Sequence, residues 1–237
     1  MTHEFEELLL RTESPDETTR RFAAEDLGRC DDERAVDALI RLLGDGSVAV
    51  KEAAAESLKA LGGAVAGGKL LPLLESDEAS ARGYAVEILE SVGEPAIPLL
   101  LRLCGAESVD LRKFAMDIIG NIGVKSDSEA YGSCVGLLDD PNVNVAAAAA
   151  EALGKIGEPA ALPLLESRFA AAHPWAQCHI LLAIASLDGG TAVDILSRID
   201  TGKLKAEVGM HLNMARSLLN ARLWKSPAEP PRAPCQS

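Results

Sequence analysis

Apolar and polar positions along this chain follow the spacing of short amphipathic helices, and one helix pattern recurs. In its clearest copy, residues 142–157 (NVNVAAAAAEALGKIG), alanine and leucine fall three and four residues apart and a glycine ends the helix. Successive copies close at steps of 31, 31, 30, 34 and 31 residues, at Asp31, Gly62, Gly93, Gly123, Gly157 and Asp188. A fixed period of roughly 20–50 residues is typical of a solenoid. The pattern predicts an all-α chain of stacked repeats.

Each repeat is predicted to contain two helices with their apolar residues on one face. In the first helix the core positions are Ala35, Ala66, Ala96, Ala130, Ala161 and Ala192 and, four residues later, Leu39, Leu70, Leu100, Cys134, Leu165 and Leu196. In the second helix they are Ala23, Ala54, Ala85, Ala115, Ala149 and Ile180, then Leu27, Leu58, Leu89, Ile119, Leu153 and Ile184, then Cys30, Leu61, Val92, Ile122, Ile156 and Leu187. We expect these residues to form one core.

The two ends of the chain depart from the repeat. The segment EFEELLLRT and the helix after it predict a partial first repeat, as expected of a terminal unit with one neighbour. A last unit is predicted over 190–222, so that the repeats occupy 1–225. Residues 226–237, SPAEPPRAPCQS, are proline-rich and without periodicity, which predicts a disordered tail.

The charge and the cysteines of the chain argue against several classes of function. The net charge of −13 and the 3% of aromatic residues argue against nucleic acid, which needs a basic surface and stacking rings. The five cysteines lack metal-ligand spacing, the start MTHEFEELLLRTESPDE is unlike a signal peptide, and no stretch approaches the roughly 20 apolar residues of a membrane span. We therefore expect a cytoplasmic protein with reduced thiols and no membrane partner.

The stretches AAAAEALGKIGEPAALPLLESR, EILESVGEPAIPLLLRL and ESLKALG resemble HEAT-like repeats of the type named for phycobilisome lyases. The resemblance covers about residues 5–220. It implies an armadillo-type, right-handed α-α superhelix of about six helical hairpins. Such repeats serve enzymes, scaffolds and adaptors alike, so the resemblance implies a fold rather than a function.

An acid recurs two residues before the core leucine of the second helix, where the side chain points away from the core. The acids are Glu25, Glu56, Glu87, Asp117 and Glu151. One interpretation is an ordinary solvated helix face, which needs no function. The other is an acidic groove for a basic partner, with Glu56, Glu87, Asp117 and Glu151 as binding residues.

A base recurs at the start of the second helix, and we call this the ladder position. It is occupied by Arg20, Lys51, Arg82 and Arg112, then by Ala146 and Gln177. The resemblance to HEAT-like repeats implies that these bases pair with turn acids in an inter-repeat ladder, the candidates being Asp16, Asp45, Asp77 and Glu107. We favour this structural role over ligand binding.

The fifth repeat breaks the acidic pattern with the sequence RFAAAHPWAQCHILLAIASLDGG. Trp175, Cys178 and Leu182 are spaced i, i+3, i+7 and so share one helix face. An apolar patch with a tryptophan predicts an anchor for a protein partner. The alternative is that the sixth repeat or the tail covers this patch.

The residues of the sequence give little support for a catalytic site or a metal site. His173, Cys178, His179 and His211 are the available metal ligands, but adjacent Cys178 and His179 point about 100° apart on a helix, and zinc needs three or four converging ligands. The single His-Glu pair, His3-Glu4, argues against the di-iron site of the related deoxyhypusine hydroxylases, and no P-loop, GxSxG or HExxH occurs. No metal, cofactor or catalytic residue is predicted.

The sequence therefore predicts a non-catalytic scaffold or adaptor with an acidic groove and an apolar anchor in the fifth repeat. A basic or amphipathic segment of another protein is the expected partner. The alternative is a bilin lyase or a chaperone-like chromophore handler, since such lyases resemble this chain in repeat type. The oligomeric state stays open.

Overall fold

The computed structural model describes residues 2–30, 32–61, 64–123, 128–187 and 189–225, so the predicted tail lies outside the described residues. Within them the chain is helical and has no strand, which confirms the all-α class. The α-helices are α1 (Thr2–Arg11), α2 (Glu17–Leu27), α3 (Glu33–Leu42), α4 (Val48–Leu61), α5 (Ala64–Leu74), α6 (Ala79–Val92), α7 (Ile97–Leu103), α8 (Val109–Ile122), α9 (Ser128–Leu137), α10 (Val143–Ile156), α11 (Ala161–Phe169), α12 (Pro174–Ser186), α13 (Gly190–Arg198) and α14 (Ala206–Lys225). Short 3-10 turns cover Glu94–Ala96 and Thr201–Lys203.

The chain forms two compact units, Met1–Ser133 and Cys134–Ser237. In the first unit the second helices of the repeats (α2, α4, α6 and α8) pack side by side, and α1, α3, α5 and α7 pack against them. In the second unit α10, α12 and α14 pack side by side, with α11 and α13 against them. Each unit therefore has two helical layers with the core between them.

The predicted core positions of the second helices are buried. Leu27, Leu58, Leu89, Ile119, Leu153 and Ile184 are all 0% exposed. The residues four positions earlier are five alanines and one isoleucine, and they are at most 2% exposed, namely Ala23, Ala54, Ala85, Ala115, Ala149 and Ile180. Alternating large and small side chains allow the helices to approach closely, which is what holds each layer together.

Local residues set the ends of the helices. The carboxylate of Asp16 accepts from the Thr19 N–H (2.8 Å) at the start of α2, and the Asn142 side chain accepts from the Asn144 N–H (2.9 Å) at the start of α10. Gly157 ends α10 with a φ of 75°, in the left-handed region that favours glycine. The helix boundaries agree with the repeat pattern of the sequence because these capping residues set where the helices begin and end.

Candidate protein-binding surface

The ladder base Arg20 acts between repeats, as predicted. Arg20 Nε lies 2.7 Å from Asp45 Oδ2 and Arg20 Nη2 lies 2.9 Å from Asp45 Oδ1. Arg20 Nη1 also donates to the backbone oxygens of Ser14 (2.8 Å) and Pro15 (3.2 Å) in its own turn. The guanidinium holds the pKa of Asp45 below its usual value. One side chain thus joins two successive turns.

The other ladder bases use partly different acceptors from those the sequence suggested. Lys51 Nζ pairs at 2.7 Å with Glu78, which is not among the four candidate turn acids. Asp16 caps α2. Arg82 and Arg112 donate to backbone oxygens of the preceding turn, at Ser76 (2.5 Å), Ala106 (2.9 Å) and Glu107 (2.9 Å). Sequence position alone does not show which acceptor lies nearest, because carboxylates and backbone oxygens compete in each turn.

The acidic positions are solvent-accessible, but they alternate with bases. Lys59 Nζ lies 2.8 Å from Glu56 and 2.5 Å from Glu87, and so it joins α4 to α6. Those two carboxylates are among the causes that raise the pKa of Lys59. Three further pairs each lie within one helix: Arg21 with Glu25, Lys113 with Asp117, and Lys155 with Glu151. In each unit these acids therefore lie beside bases, and exposed pairs of this kind contribute little stability.

The fifth-repeat aromatic residue lies on the surface. Trp175 is 50% exposed, and its ring centroid lies 5.0 Å from that of His179. His179 Nδ1 in turn lies 3.7 Å from Glu151 Oε2 on α10. Leu182, two turns further along α12, is partly exposed. Trp175, Leu182 and Glu151 therefore belong to one surface formed by α10 and α12.

Cys178 is not part of that surface, and its predicted exposure is wrong. Its side chain is 3% exposed. Burial raises the pKa of the thiol, and the charge of Glu207 on α14 adds to the effect. The i, i+3 spacing places Cys178 about 60° from Trp175, which is enough to turn it toward α14. Sequence spacing did not reveal that a further helix packs there.

The last helix adds an apolar surface that the sequence did not predict. Met210, Met214 and Leu218, spaced by four residues on α14, are 66%, 52% and 45% exposed. The opposite side of α14 is buried through Val208, Leu212, Ala215 and Leu219. Because α14 packs against α12 and α13, these three residues point away from both neighbours.

Two arginines hold α14 in this orientation. Arg216 Nη2 donates to the backbone oxygen of Leu196 (2.7 Å) at the end of α13. Arg222 Nη1 donates to that of Ser186 (2.5 Å) at the end of α12. Each thereby satisfies a terminal carbonyl group that has no partner within its own helix. We call Trp175, Leu182, Met210, Met214 and Leu218 together the apolar face.

The apolar face differs from the equivalent surface of α10. There the exposed positions are Asn144, Glu151 and Lys155, all polar. The second helices in Cys134–Ser237 thus change from exposed residues that are all polar on α10 to exposed or partly exposed apolar residues on α12 and α14. Exposed apolar groups of this kind mark interaction sites on soluble proteins.

The histidines have local roles. His173 Nδ1 accepts from the Trp175 N–H (3.2 Å) and caps α12, and His211 Nδ1 lies 2.9 Å from the backbone oxygen of Glu207. Within the described ranges, no three histidine, cysteine, aspartate or glutamate side chains are grouped so that they could hold a metal ion. None of the helices described has both the length and the apolar character required to cross a bilayer.

This chain is similar to proteins from different organisms. A phycocyanin operon protein, protein Z of Pseudanabaena tenuis, is 26% identical over 137 residues, which are 55% of this chain and 68% of the relative. The complex of CpcE and CpcF of phycocyanin lyase from Nostoc sp. is 22% identical, with a TM-score of 0.48, covering 64% of this chain and 99% of that chain. Human deoxyhypusine hydroxylase is 16% identical, with a TM-score of 0.46, covering 92% of this chain and 84% of its own.

The family model for HEAT repeats matches residues 5–83, 106–185 and 134–202, which together are well over half of the chain. These ranges contain the ladder bases, most of the buried core positions and the apolar residues of α12. The helical hairpins described above are the structural unit of such repeats. The chain belongs to the HEAT-repeat family.

Proposed function

We propose that this HEAT-repeat chain is a non-catalytic adaptor that binds another protein through the apolar face. The observation that carries the proposal is the exposure of Trp175 on α12 and of Met210 and Met214 on α14, two helices that pack against each other, whereas α10 exposes polar residues. Tryptophan is enriched among the residues that dominate binding energy. Methionine adapts to partners of different shape because its side chain is flexible and polarizable.

The partner that fits this surface is an amphipathic helix with basic flanks. An apolar helix face laid across α12 and α14 would cover side chains spaced by about one turn. The chain carries a net charge of −13, which favours encounter with a basic partner. The same charge opposes pairing of two copies of this chain.

The proposal also includes the four predicted binding acids, but as a source of attraction rather than as direct contacts. They are Glu56, Glu87, Asp117 and Glu151. Each pairs with a lysine, so a partner's base would have to compete for it. We assign them to long-range attraction of the partner. Glu151 differs from the others in lying beside His179 and Trp175, where it would also meet the bound partner.

We place this function in the cytoplasm. Cys30, Cys104, Cys134 and Cys178 are free thiols. Thiols persist in the reducing cytosol, whereas oxidising compartments favour disulfides.

A pull-down from the source cell tests the proposal. The bait is the wild-type chain, beside the double variant Trp175→Ala/Leu182→Ala, at low and at moderate salt. We expect a captured protein that the double variant loses while its helicity and thermal unfolding stay unchanged. Leu10→Ala is the matched control, because Leu10 is 71% exposed in the other unit. Equal capture by all three baits would refute the apolar face as the binding site.

A second candidate function is chromophore handling, of the lyase or chaperone kind. The relative from a phycocyanin operon favours it. Trp175 would offer an aromatic surface to such a planar ligand. Purification from a bilin-producing cell distinguishes the two functions, because a visible absorption band that follows the chain, and is lost on Trp175→Ala, would favour the chromophore.

A further inference from the structure

The four methionines of this chain differ in their exposure to solvent. Met210 and Met214, on α14, are 66% and 52% exposed. Met116, inside α8, is 0% exposed, and Met1 lies outside the described residues. A peroxide oxidises a thioether sulfur to a sulfoxide, and it has to reach the sulfur to do so. A peroxide in solution therefore has access to the two methionines of the apolar face, whereas the core shields Met116.

The cysteines are better protected than these two methionines. The thiolate is the form of cysteine that reacts with peroxides. Burial raises the pKa of the thiols of Cys30 and Cys178 and raises the pKa of Cys104 to about 11, so these groups stay protonated at neutral pH. Cys134 is 0% exposed, and Cys235 lies outside the described residues. Among the sulfur-containing side chains that the structure describes, the two methionines of α14 are the most exposed.

The fold allows oxidation of these methionines without unfolding. Met210 and Met214 are four residues apart, so they lie about one turn apart on the same side of α14. The opposite side of the helix is buried, with Leu212 and Ala215 at 0% exposure. Arg216 anchors α14 by donating to a backbone oxygen at the end of α13, at 2.7 Å. An oxygen atom added to either sulfur therefore lies on the solvent side of the helix rather than in the core.

The chemical change is the transfer of one oxygen atom to each sulfur. A sulfur lone pair attacks one oxygen of hydrogen peroxide, an S–O bond forms as the O–O bond breaks, and the second oxygen takes the proton and leaves as water. The sulfur loses two electrons and the peroxide gains them. The sulfoxide is polar and accepts hydrogen bonds, so burying it against an apolar partner without a donor costs free energy. Two sulfoxides one turn apart therefore oppose the contact that the two thioethers support.

We propose that Met210 and Met214 form an oxidation-sensitive pair, and that their conversion to sulfoxides by a peroxide releases the protein partner from the apolar face. The inference rests on the proposed function and adds its regulation. Leu218, the next exposed apolar residue along α14, has no sulfur atom, and Met116 is enclosed in the core. The response to a peroxide is therefore confined to the part of the apolar face that the two methionines form.

Peptide mass mapping of the full-length protein tests the modification site. The folded chain is treated with hydrogen peroxide, and a thiol reductant then reverses disulfide and sulfenic acid formation while the sulfoxides remain. We expect the tryptic peptide 206–216, which contains both methionines of α14, to gain oxygen at least about tenfold faster than peptide 114–125, which contains Met116. In urea-unfolded protein the rates should be similar, because the difference arises from the fold. Equal rates in the folded chain would overturn the proposal.

A binding measurement tests the release. The probe is a model amphipathic helix of leucine and lysine, titrated by calorimetry at moderate salt into the untreated and the peroxide-treated chain. We expect oxidation to weaken its binding to the wild-type chain at least about tenfold. The matched control is Met210→Leu/Met214→Leu, which keeps apolar side chains of similar volume but removes both sulfur atoms. This variant should bind like the wild type before treatment and keep its affinity afterwards. Equal loss of affinity in the variant, or undiminished binding by the oxidised wild type, would contradict the inference.

The same probe separates this inference from the proposed function. Binding that is lost in Trp175→Ala/Leu182→Ala but survives oxidation of the wild type would reject the release and leave the adaptor function standing. Binding unchanged in Trp175→Ala/Leu182→Ala would refute the apolar face as the binding site, and with it the release, while selective oxidation of Met210 and Met214 would still establish the modification site.

Discussion

Single side chains of this protein join successive repeats, and Arg20 is the best example. Its guanidinium contacts a carboxylate of the next repeat and two backbone oxygens of its own turn. The side chains of Arg20 and Asp45 are 18% and 9% exposed, so the pair is largely shielded from water. Removing the base leaves a shielded carboxylate without its partner, which costs more than losing an exposed pair.

We expect Arg20→Ala to lower the urea midpoint of unfolding more than Arg21→Ala, whose pair with Glu25 is exposed. The effect depends on pH. The lowered pKa of Asp45 stabilises the folded chain above the unfolded-state pKa, near 3.9, and this stability is lost as the pH falls through the folded-state value. The gap between wild type and Arg20→Ala should therefore narrow from pH 7 to about pH 3. A gap that widens on acidification would contradict this account.

Core residues are the part of the molecule that the sequence predicts best. Leu153, in the clearest repeat, is fully buried, and its truncation removes apolar contacts and leaves a cavity. We expect Leu153→Ala to lower the free energy of unfolding by about 2–5 kcal/mol, whereas Leu10→Ala, at an exposed site, should change it by less than about 0.5 kcal/mol. Chemical denaturation measures both.

The burial of Cys178 could not be predicted from the sequence. Its spacing from Trp175 is that of one helix face, yet it is buried and Trp175 is exposed. A helix with apolar residues around most of its circumference gives no periodic signal for which of them faces water. That depends on how many helices surround it, and α12 has neighbours in α10, α11, α13 and α14.

At the scale of helices, close approach depends on glycine at defined points. A Cβ on Gly154 would lie 2.9 Å from the Cα of Ala183, so α10 and α12 would have to separate. The Ser186 hydroxyl also donates to the Gly154 oxygen, at 3.0 Å, across the same contact. Two features therefore keep α10 and α12 close together: Gly154 has no side chain at the contact, and the Ser186 hydroxyl donates a hydrogen bond across it.

We expect Gly154→Ala to destabilise the chain by about 1–3 kcal/mol through overpacking, partly offset by the better helix propensity of alanine. Gly83→Ala is the matched control, since Gly83 lies inside α6 with nothing within 4 Å of its added Cβ. That substitution should stabilise by about 0.5–1 kcal/mol. Equal effects of the two substitutions would show that the α10–α12 contact does not depend on Gly154.

The last helix explains why only part of the candidate site was predictable. The repeat spacing weakens after α12, so the exposure of Met210, Met214 and Leu218 could not be predicted from the repeat register. Arg216 and Arg222 determine that orientation, by contacts 20 and 36 residues away in sequence. Trp175 was recognisable because it departs from a strong pattern, and the methionines were not because that pattern is absent there.

At the scale of the whole molecule, charge and apolar surface have separable effects. The net charge of −13 acts at a distance and is screened by salt, whereas burial of the apolar face is not. We expect the association rate with a basic partner to fall steeply between about 0.05 and 0.5 M salt, while the dissociation rate changes little. Surface plasmon resonance with the captured partner separates the two rates. A salt effect confined to dissociation would argue against steering by the acids.

The most direct test of the adaptor account is photo-crosslinking in the source cell. Benzoylphenylalanine replaces Met214 on the apolar face or, as the control, Leu10 on the other unit. The account predicts one crosslinked protein from position 214, lost when Trp175→Ala is added, and none from position 10. A product of equal yield from both positions, or from position 10 alone, would contradict the claim that the apolar face is the binding surface.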